Sequence, residues 1–375
     1  MIGGRAPHHN RRPGTLIRDP KLFLTPPSQT NWTIDLGLLS LNGFHSMKHG
    51  TLRRILVPID FSDESINTLR VAKLLAARFR AQLDLVHVIA PSANFLPRGQ
   101  LLPIVTSSSR MVSAALKRLQ DFAFEQSVQP LAYSCKVRVG SPADEINDAS
   151  RRSGASLIAI ATRGYSGLKY AFLGSTTAQV VRTASCPVLV VRELEHLSSE
   201  QRARRGRTPL QFRKVLVPLD FSECSRVGLN YALGFGLEFR SSLLLFHCVV
   251  PQTYALAVGY TALAGPNLIT LQEEFAQNQM EKLLREFGKK SVKIKTVVTV
   301  GSPVEQINEC IRRQTVDLII TSTHGRTGLK RFFIGSTAEQ IVRHAACSVL
   351  VVPNRTFSKK PHKVVTRKSP SKRAR

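Results

Sequence analysis

Two short glycine-containing segments hold the residue types in this sequence that could bind a ligand. Each begins with a Thr-basic-Gly triplet and, after a spacer of nine residues, ends with Gly-Ser-Thr, at 162–176 and again at 323–337. Glycine lets a phosphate group approach the backbone closely, and the N–H groups that open a helix attract anions. Hydroxyl groups and basic side chains nearby can add hydrogen bonds and offset negative charge. The pattern therefore predicts a phosphate-binding loop in each segment.

The same residues also have a purely structural interpretation. Gly164 and Gly174 could serve only to permit a tight turn, and Ser175 could serve only to cap the following helix. Because the second segment repeats the glycines, the basic residue and the Gly-Ser-Thr triplet, anion binding is the favoured interpretation. Further basic residues near the loops could offset phosphate charge, namely Lys169 in the first segment and Arg326, Lys330 and Arg331 in the second.

Asp60 and Asp220 form a second pair of candidate binding residues. Each follows a short apolar run and precedes a Phe-Ser pair, so each is predicted to lie at the end of a strand. A carboxylate in that place could accept hydrogen bonds from an adenine amino group or a ribose hydroxyl. In the alternative interpretation, each is a loop acid that caps backbone N–H groups.

These residues occur in pairs because most of the chain is duplicated. Residues 53–91 recur at 213–251, shifted by 160 positions, and residues 139–191 recur at 300–352, shifted by 161. A repeat of this length indicates two copies of one folding unit. We therefore predict a disordered extension or mis-annotated start at 1–51, a first domain at 52–194, a basic linker at 195–211, a second domain at 212–354 and a basic disordered tail at 355–375.

The elements that must position these residues alternate strand and helix within each copy. The apolar run 55–59 is typical of a parallel strand buried on both faces, and Ser62 can cap the helix that follows. Five strands with intervening helices predict an α/β fold, with two tandem open parallel five-stranded sheets and helices on both faces. In such sheets, ligands bind beyond the carboxyl ends of the strands, where the aspartates and the glycine loops are predicted.

The formal net charge of +28 lies largely outside the predicted domains. The tail 355–375 has nine Lys or Arg residues and no acid, residues 195–214 net +4, and residues 1–46 net +3. Such a tail can attract nucleic acid or anionic lipid without sequence preference. The alternative is a solvated tail with no dedicated partner.

Several functional classes have no support in the sequence. No apolar run approaches the roughly 20 residues of a membrane span, so no membrane contact is expected. The six cysteines form no CxxC pair, which fits a reducing, cytoplasmic location. No P-loop, nucleophile elbow or metal-ligand spacing is present, and His87 and His247 are interpreted as structural residues of core strands. We therefore expect no enzyme, or at most a slow ATPase.

The chain resembles a tandem universal stress protein. The resemblance rests on the segments 55–62, 85–88, 140–142 and 186–191 together with the glycine loop, each with a partner in the second copy. It covers nearly all of both predicted domains. It implies an adenine-nucleotide-binding fold related to flavodoxin-like sheets, ATP as the ligand, with or without magnesium, and two domains packed as a pair, commonly through their last strands. Whether the chain dimerises further stays open.

The resemblance also implies a set of site residues, because ATP-binding members of that family carry a Gly-x2-Gly-x9-Gly-Ser/Thr motif. The first glycine of that motif is replaced in both copies, by Ala161 and by Ser322, and a β-carbon there can crowd a phosphate. The implied site of the first domain consists of Asp60, Val88, Ala161, Arg163, Gly164, Gly174, Ser175 and Thr176. That of the second consists of Asp220, Cys248, Ser322, His324, Gly325, Gly335, Ser336 and Thr337.

Three functional hypotheses follow. The leading one is a cytoplasmic stress-response protein whose ATP occupancy changes its shape or its partners. The second is an interaction scaffold of the same fold that binds no nucleotide. The third is a nucleic-acid-associated protein that acts through its basic tail at 355–375.

Overall fold

The fold is seen in a computed structural model that describes residues 30–34, 52–90, 109–162, 173–192, 212–251, 266–287, 292–323 and 335–354. Within these ranges lie eleven strands and eight helices. A first unit consists of strands β2 (Arg54–Pro58), β3 (Gln82–Ile89), β4 (Tyr133–Val139), β5 (Leu157–Ala161) and β6 (Val188–Val191) and helices α1 (Asp63–Phe79), α2 (Ser109–Glu125), α3 (Pro142–Ser153) and α4 (Ser175–Thr183).

A second unit repeats the same order of elements. It consists of strands β7 (Lys214–Pro218), β8 (Ser242–Val249), β9 (Val292–Val300), β10 (Leu318–Ser322) and β11 (Ser348–Val352) and helices α5 (Glu223–Phe239), α6 (Pro266–Glu286), α7 (Pro303–Gln314) and α8 (Ser336–His344). One further strand, β1 (Thr30–Ile34), precedes both units.

Each unit is a doubly wound parallel sheet. The order of the strands is β4-β3-β2-β5-β6 in the first unit and β9-β8-β7-β10-β11 in the second, and all pairs within these two sets are parallel. The predicted α/β fold, with five parallel strands in each copy and helices on both faces, is confirmed. The strand order reverses between β2 and β5 and between β7 and β10, where such folds bind their ligands.

Alternating side chains of the strands fill two apolar layers. In β2, Ile55 and Val57 are buried on the side of α1, whereas Leu56 between them is buried on the side of α3 and α4. This is the two-fold alternation that a strand covered by helices on both faces requires. Helix α1 begins where the Ser62 hydroxyl accepts a hydrogen bond from the Ser65 amide at 3.2 Å, as the sequence predicts.

The two units share one sheet because β6 and β11 pair antiparallel. Val190 lies opposite Val349, and Val188 lies opposite Val351. The predicted pair of sheets is therefore one continuous sheet of eleven strands among the described residues. Each last strand would otherwise be an exposed edge, and pairing satisfies its backbone groups while burying its apolar side chains.

Two arginines of the first unit reinforce this seam between β6 and β11. The Arg192 guanidinium donates to the carbonyl oxygens of Val342 and Arg343, at 2.6 and 2.7 Å, at the end of α8. Arg182 on α4 pairs with Glu339 on α8 at 3.2 Å. Glu339 also accepts from Arg343, and these hydrogen bonds hold the pKa of its carboxyl below the usual value.

Strand β1 differs from the expectation for residues 1–51. It pairs antiparallel with β9, with Thr30 opposite Thr296 and Ile34 opposite Val292. The physical reason is that β9 is an edge strand of the second unit, and an extended segment can satisfy its open backbone groups wherever it lies in the chain. The rest of 1–51, the whole of the predicted linker at 195–211 and the tail at 355–375 lie outside the described residues. In the part of the chain that the structure describes, no helix is long and apolar enough to cross a membrane.

The seam predicts unequal effects for its two arginines. Arg192→Ala removes charged hydrogen bonds to two helix-end carbonyls, so we expect the free energy of unfolding to fall by about 1.5–3 kcal/mol. Arg182→Ala removes an ion pair whose side chains are 39% and 30% exposed, so we expect a loss below about 1 kcal/mol. Urea unfolding followed by circular dichroism measures both. Equal losses for the two variants would contradict this account of the seam.

Candidate functional site

The predicted site residues of the second unit meet at the carboxyl ends of its strands. A cavity of about 680 Å³ opens there. Its lining includes six of the eight predicted residues of that unit, namely Asp220, Cys248, Ser322, Gly335, Ser336 and Thr337. The other two, His324 and Gly325, lie outside the described residues. A volume of this size is typical of small-molecule sites.

The glycine of each Gly-Ser-Thr triplet is the N-cap of a helix. The Gly174 amide donates to the Thr162 carbonyl at 2.8 Å, and the Gly335 amide donates to the Thr323 carbonyl at 2.6 Å. No side chain caps α4 or α8 at these residues. The first-turn N–H groups of both helices therefore face the carboxyl edge with no side-chain cap from a described residue, and the helix dipole favours an anion there.

The hydroxyls that follow these glycines lie at the surface of the edge. Ser175, Ser336 and Thr337 are exposed and Thr176 is half-buried, so their hydroxyls are within reach of a ligand. Thr177, one residue further, is buried and donates to the Ala161 carbonyl at 2.7 Å. This hydrogen bond ties the first turn of α4 to the end of β5. Arg163 and Gly164 of the same loop lie outside the described residues.

Each candidate aspartate organises the turn in which it lies. Asp60 Oδ1 accepts from the Ser62 amide at 3.1 Å and from the Ser62 hydroxyl at 2.6 Å, and it also accepts from the Ser65 hydroxyl. Asp220 Oδ1 makes the same two contacts with Ser222, at 3.1 and 2.6 Å. The structural interpretation of these acids is therefore seen in both units. It is compatible with ligand binding, since Asp220 also lines the cavity.

A histidine and a phenylalanine fix each of these turns, a feature that the sequence analysis missed. Phe61 and Phe221 have φ angles of +64° and +63°, in the left-handed region that phenylalanine rarely adopts. Each ring packs on the imidazole of the next strand, with centroids 4.8 Å apart for His87 and 4.5 Å for His247. Packing must offset the cost of this backbone conformation. The only available signal was that Asp-Phe-Ser and the downstream histidine recur together.

The imidazoles are oriented by the backbone. His87 Nδ1 lies 2.7 Å from the Ile59 carbonyl oxygen, and His247 Nδ1 lies 2.7 Å from that of Leu219. A carbonyl can only accept, so Nδ1 carries the proton in both rings. The histidines therefore have backbone partners, as their structural interpretation predicts, and each ties the end of one strand to the next.

The helices beside the two sites differ in the side chains that they place there. In the second unit, Leu271 and Phe275 of α6 line the cavity and are 60% and 54% exposed. In the first unit, Arg118 of α2 lies with its guanidinium 4.0 Å from the centre of the Phe61 ring. A cation therefore lies beside the aspartate turn of the first unit, whereas apolar side chains lie at the mouth of the second cavity.

The predicted residues on β3 and β8 are half-buried neighbours of the edge. Val88 lies opposite Arg138 of β4, and Cys248 lies opposite Thr299 of β9. The Cys248 thiol donates to the Gly301 carbonyl at 3.3 Å, and burial raises its pKa. Burial also raises the pKa of Cys186 to about 11 and that of Cys347 further, which fits their interpretation as core residues. Among the described residues, no three His, Cys, Asp or Glu side chains are placed to hold a metal ion.

Fold and site together define a doubly wound α/β protein with a ligand cavity at the switch point of its sheet. The chain belongs to the universal stress protein family, whose family model matches residues 51–192 and 211–353. The repeat is therefore a tandem pair of universal stress protein domains.

Relatives that match most of this chain and relatives that match less than half of it both support this membership. A universal stress protein of Mycolicibacterium smegmatis is 27% identical over 305 residues, which cover 80% of this chain and 96% of that protein. Universal stress protein MJ0531 of Methanocaldococcus jannaschii is 32% identical over 153 residues, or 40% of this chain and 85% of that protein. The crystal structure of a putative universal stress protein from Pseudomonas aeruginosa aligns with a TM-score of 0.55 at 20% identity, covering 80% of this chain and 93% of that one, which shows the shared fold.

The histidine contacts predict that a side-chain donor is needed at position 247. His247→Ala leaves the Leu219 carbonyl without this donor, so we expect the free energy of unfolding to fall by about 1–3 kcal/mol. His247→Asn keeps an N–H at a similar distance from the backbone and should recover much of the loss. Denaturant unfolding of both variants measures the difference. Equal destabilisation by alanine and asparagine would show that the hydrogen bond does not hold the turn.

Proposed function

We propose that the protein binds an adenine nucleotide, ATP, at the carboxyl edge of each unit and acts as a binding module in a stress response. The observation that carries the proposal is the cavity in the second unit, which joins a fixed carboxylate, Asp220, to the uncapped start of α8. A carboxylate suits a ribose or adenine donor, and an open helix start suits a phosphate. A nucleotide carries both kinds of group at its two ends.

The proposal assigns roles within each unit. In the second, Asp220 and the backbone of Cys248 hold ribose and adenine, while His324, Gly325, Gly335, Ser336 and Thr337 contact phosphates. In the first, Asp60 and Val88 take the former role, while Arg163, Gly164, Gly174, Ser175 and Thr176 take the latter. The substituted motif positions, Ala161 and Ser322, are buried at the ends of β5 and β10, and Ser322 lines the cavity. A hydroxyl at Ser322 adds a possible ligand contact that Ala161 lacks, which favours the second site.

Magnesium would bind together with the nucleotide. The described site offers serine and threonine hydroxyls and one carboxylate, which are the hard oxygen donors that magnesium accepts together with phosphate oxygens. Nδ1 of both histidines is held by a backbone carbonyl, which gives these rings a structural role. The proposal is one of binding and includes no chemical step.

Other parts of the proposal rest on the sequence. We place the protein in the cytoplasm, where its six cysteines, all free thiols in the structure, stay reduced. Nucleic-acid attraction through 355–375 and further dimerisation of the chain stay predictions. A scaffold without nucleotide remains the competing hypothesis, and the two experiments below separate it from the leading one.

The first experiment measures the nucleotide content of the purified protein, released by heat and resolved by chromatography. We expect about one or two adenine nucleotides per chain, and Gly335→Arg should remove the share of the second site, because a long side chain at the N-cap fills the phosphate position. Gly174→Arg is the matched variant for the first site. An empty protein that also fails to bind added ATP with magnesium would contradict nucleotide binding and leave the scaffold.

The second experiment uses a thiol in the cavity wall. Burial raises the pKa of Cys248, so alkylation by iodoacetamide should be slow at pH 8 and should accelerate as the pH rises and thiolate forms. Bound ATP should slow it further, because Cys248 lines the cavity. Cys135 is the control, since burial raises its pKa too but it lies on β4 away from the cavity. Peptide mass spectrometry measures both rates, and equal effects of ATP on both thiols would argue against occupancy of this cavity.

A further inference from the structure

A second and larger cavity lies at the opposite ends of the second unit's strands. It has a volume of about 1210 Å³, and its walls come from both units. The C-terminal turns of α1 and α5 meet beside it, where the Phe79 and Phe239 rings pack edge to face at 5.7 Å. We call this cavity the inter-unit groove. Its lining includes Arg78, Arg213, Leu237, Phe239, Arg240 and Lys293.

The polar part of the inter-unit groove is strongly basic. Four cations line it, and Glu238 is the one acid among the described lining residues. Glu238 is already engaged, because the Arg78 guanidinium lies 3.0 Å from its carboxylate and donates to its carbonyl at 2.7 Å. The latter contact also offsets the partial negative charge at the end of α5. Neither Arg240 nor Lys293 forms an ion pair with a described residue, and both are exposed.

The floor of the groove is apolar. Leu237 of α5 is 38% exposed, and Leu74 of α1 and Phe239 of α5 beside it are half-buried. A groove with an apolar floor and a basic rim matches a ligand that has both an apolar part and an anionic group. A purely polar anion such as inorganic phosphate would leave the floor without a partner, and a neutral hydrocarbon would leave the rim without one.

The chain itself does not offer a complementary occupant. None of the segments outside the described ranges has more acidic than basic residues, and those at the two termini are strongly basic. Like charges disfavour their docking against Arg240 and Lys293. We therefore take the occupant to be a separate molecule.

We propose that the inter-unit groove binds a small amphipathic anion, a single apolar chain or ring system with a carboxylate, sulfonate or phosphate group. The apolar part lies against Leu237 and Phe239, and the anionic group lies between Arg240 and Lys293. This site is distinct from the nucleotide cavity, which lies at the carboxyl ends of the same strands and has other walls. Because both units form the groove, occupancy also links them.

The test uses the full chain and two probes, the aromatic sulfonate 1-anilinonaphthalene-8-sulfonate, followed by its fluorescence, and monomeric dodecanoate, which should displace it. Arg240→Glu combined with Lys293→Glu should raise the dissociation constant of both probes about tenfold, because two attractions become repulsions. Lys136→Glu combined with Lys282→Glu is the control, since it changes the net charge equally at exposed residues elsewhere. Leu237→Asn should weaken binding through the floor alone.

The outcomes divide clearly. Equal weakening in the control variant would mean unspecific attraction to a basic protein and would overturn the proposal. Competition by ATP would place the probes in the nucleotide cavity and would overturn it as well. Equal displacement by neutral 1-dodecanol would show that the cations play no part. Sedimentation with anionic phospholipid vesicles that depends on Arg240 and Lys293, without binding of monomeric dodecanoate, would replace the free anion by a membrane surface.

Discussion

The antiparallel pairing of β6 with β11 is the interaction on which the rest of the architecture depends. A last strand that carries four valines and leucines cannot remain an open, apolar edge in water. By pairing with its counterpart, each strand satisfies its backbone groups and continues the apolar layers of one unit into the other. The two strands run in opposite directions, so the carboxyl ends of the two units point away from each other across the seam. The two candidate sites are therefore separate from each other rather than halves of one site.

Within each unit, the site depends on a turn that the backbone alone does not favour. Phenylalanine at positive φ stores conformational strain, and it persists because the ring packs against a histidine whose Nδ1–H is bound to the preceding strand end. The aspartate of the same turn is held by serine hydroxyls and amides. A carboxylate fixed in this way needs little reorganisation when a ligand arrives, which reduces the entropic cost of binding. The same rigidity explains why structural and binding roles coincide in Asp60 and Asp220.

The two units keep the same residues at the strand ends of the site but differ in the side chains of the helices beside it. Strand ends, cap glycines, aspartates and histidines repeat closely, whereas α2 places Arg118 on the Phe61 ring and α6 places Leu271 and Phe275 at the cavity. The two units contribute unequally to the inter-unit groove. Most of its charged residues belong to the second unit, and the first unit contributes only the end of α1. Residues that position a ligand edge are constrained by the sheet, while those on the outer helices are constrained only on their buried face. This is where two copies of one unit can acquire different ligands.

The sequence by itself determined the two units, their five strands and the carboxyl-edge placement of the aspartates and glycines, because burial periodicity, a serine cap and apolar runs are local signals. It also identified six of the cavity-lining residues of the second unit; the predictions for Arg163, Gly164, His324 and Gly325 still stand untested. Only the tertiary structure revealed the strand at 30–34, the packing of the Phe221 ring on His247, and the inter-unit groove, where Arg78 pairs with Glu238. Each of these joins residues far apart in the chain through edge pairing, ring packing or charge. Such contacts leave no periodic trace in the sequence, because each partner alone resembles an ordinary loop, core or surface residue.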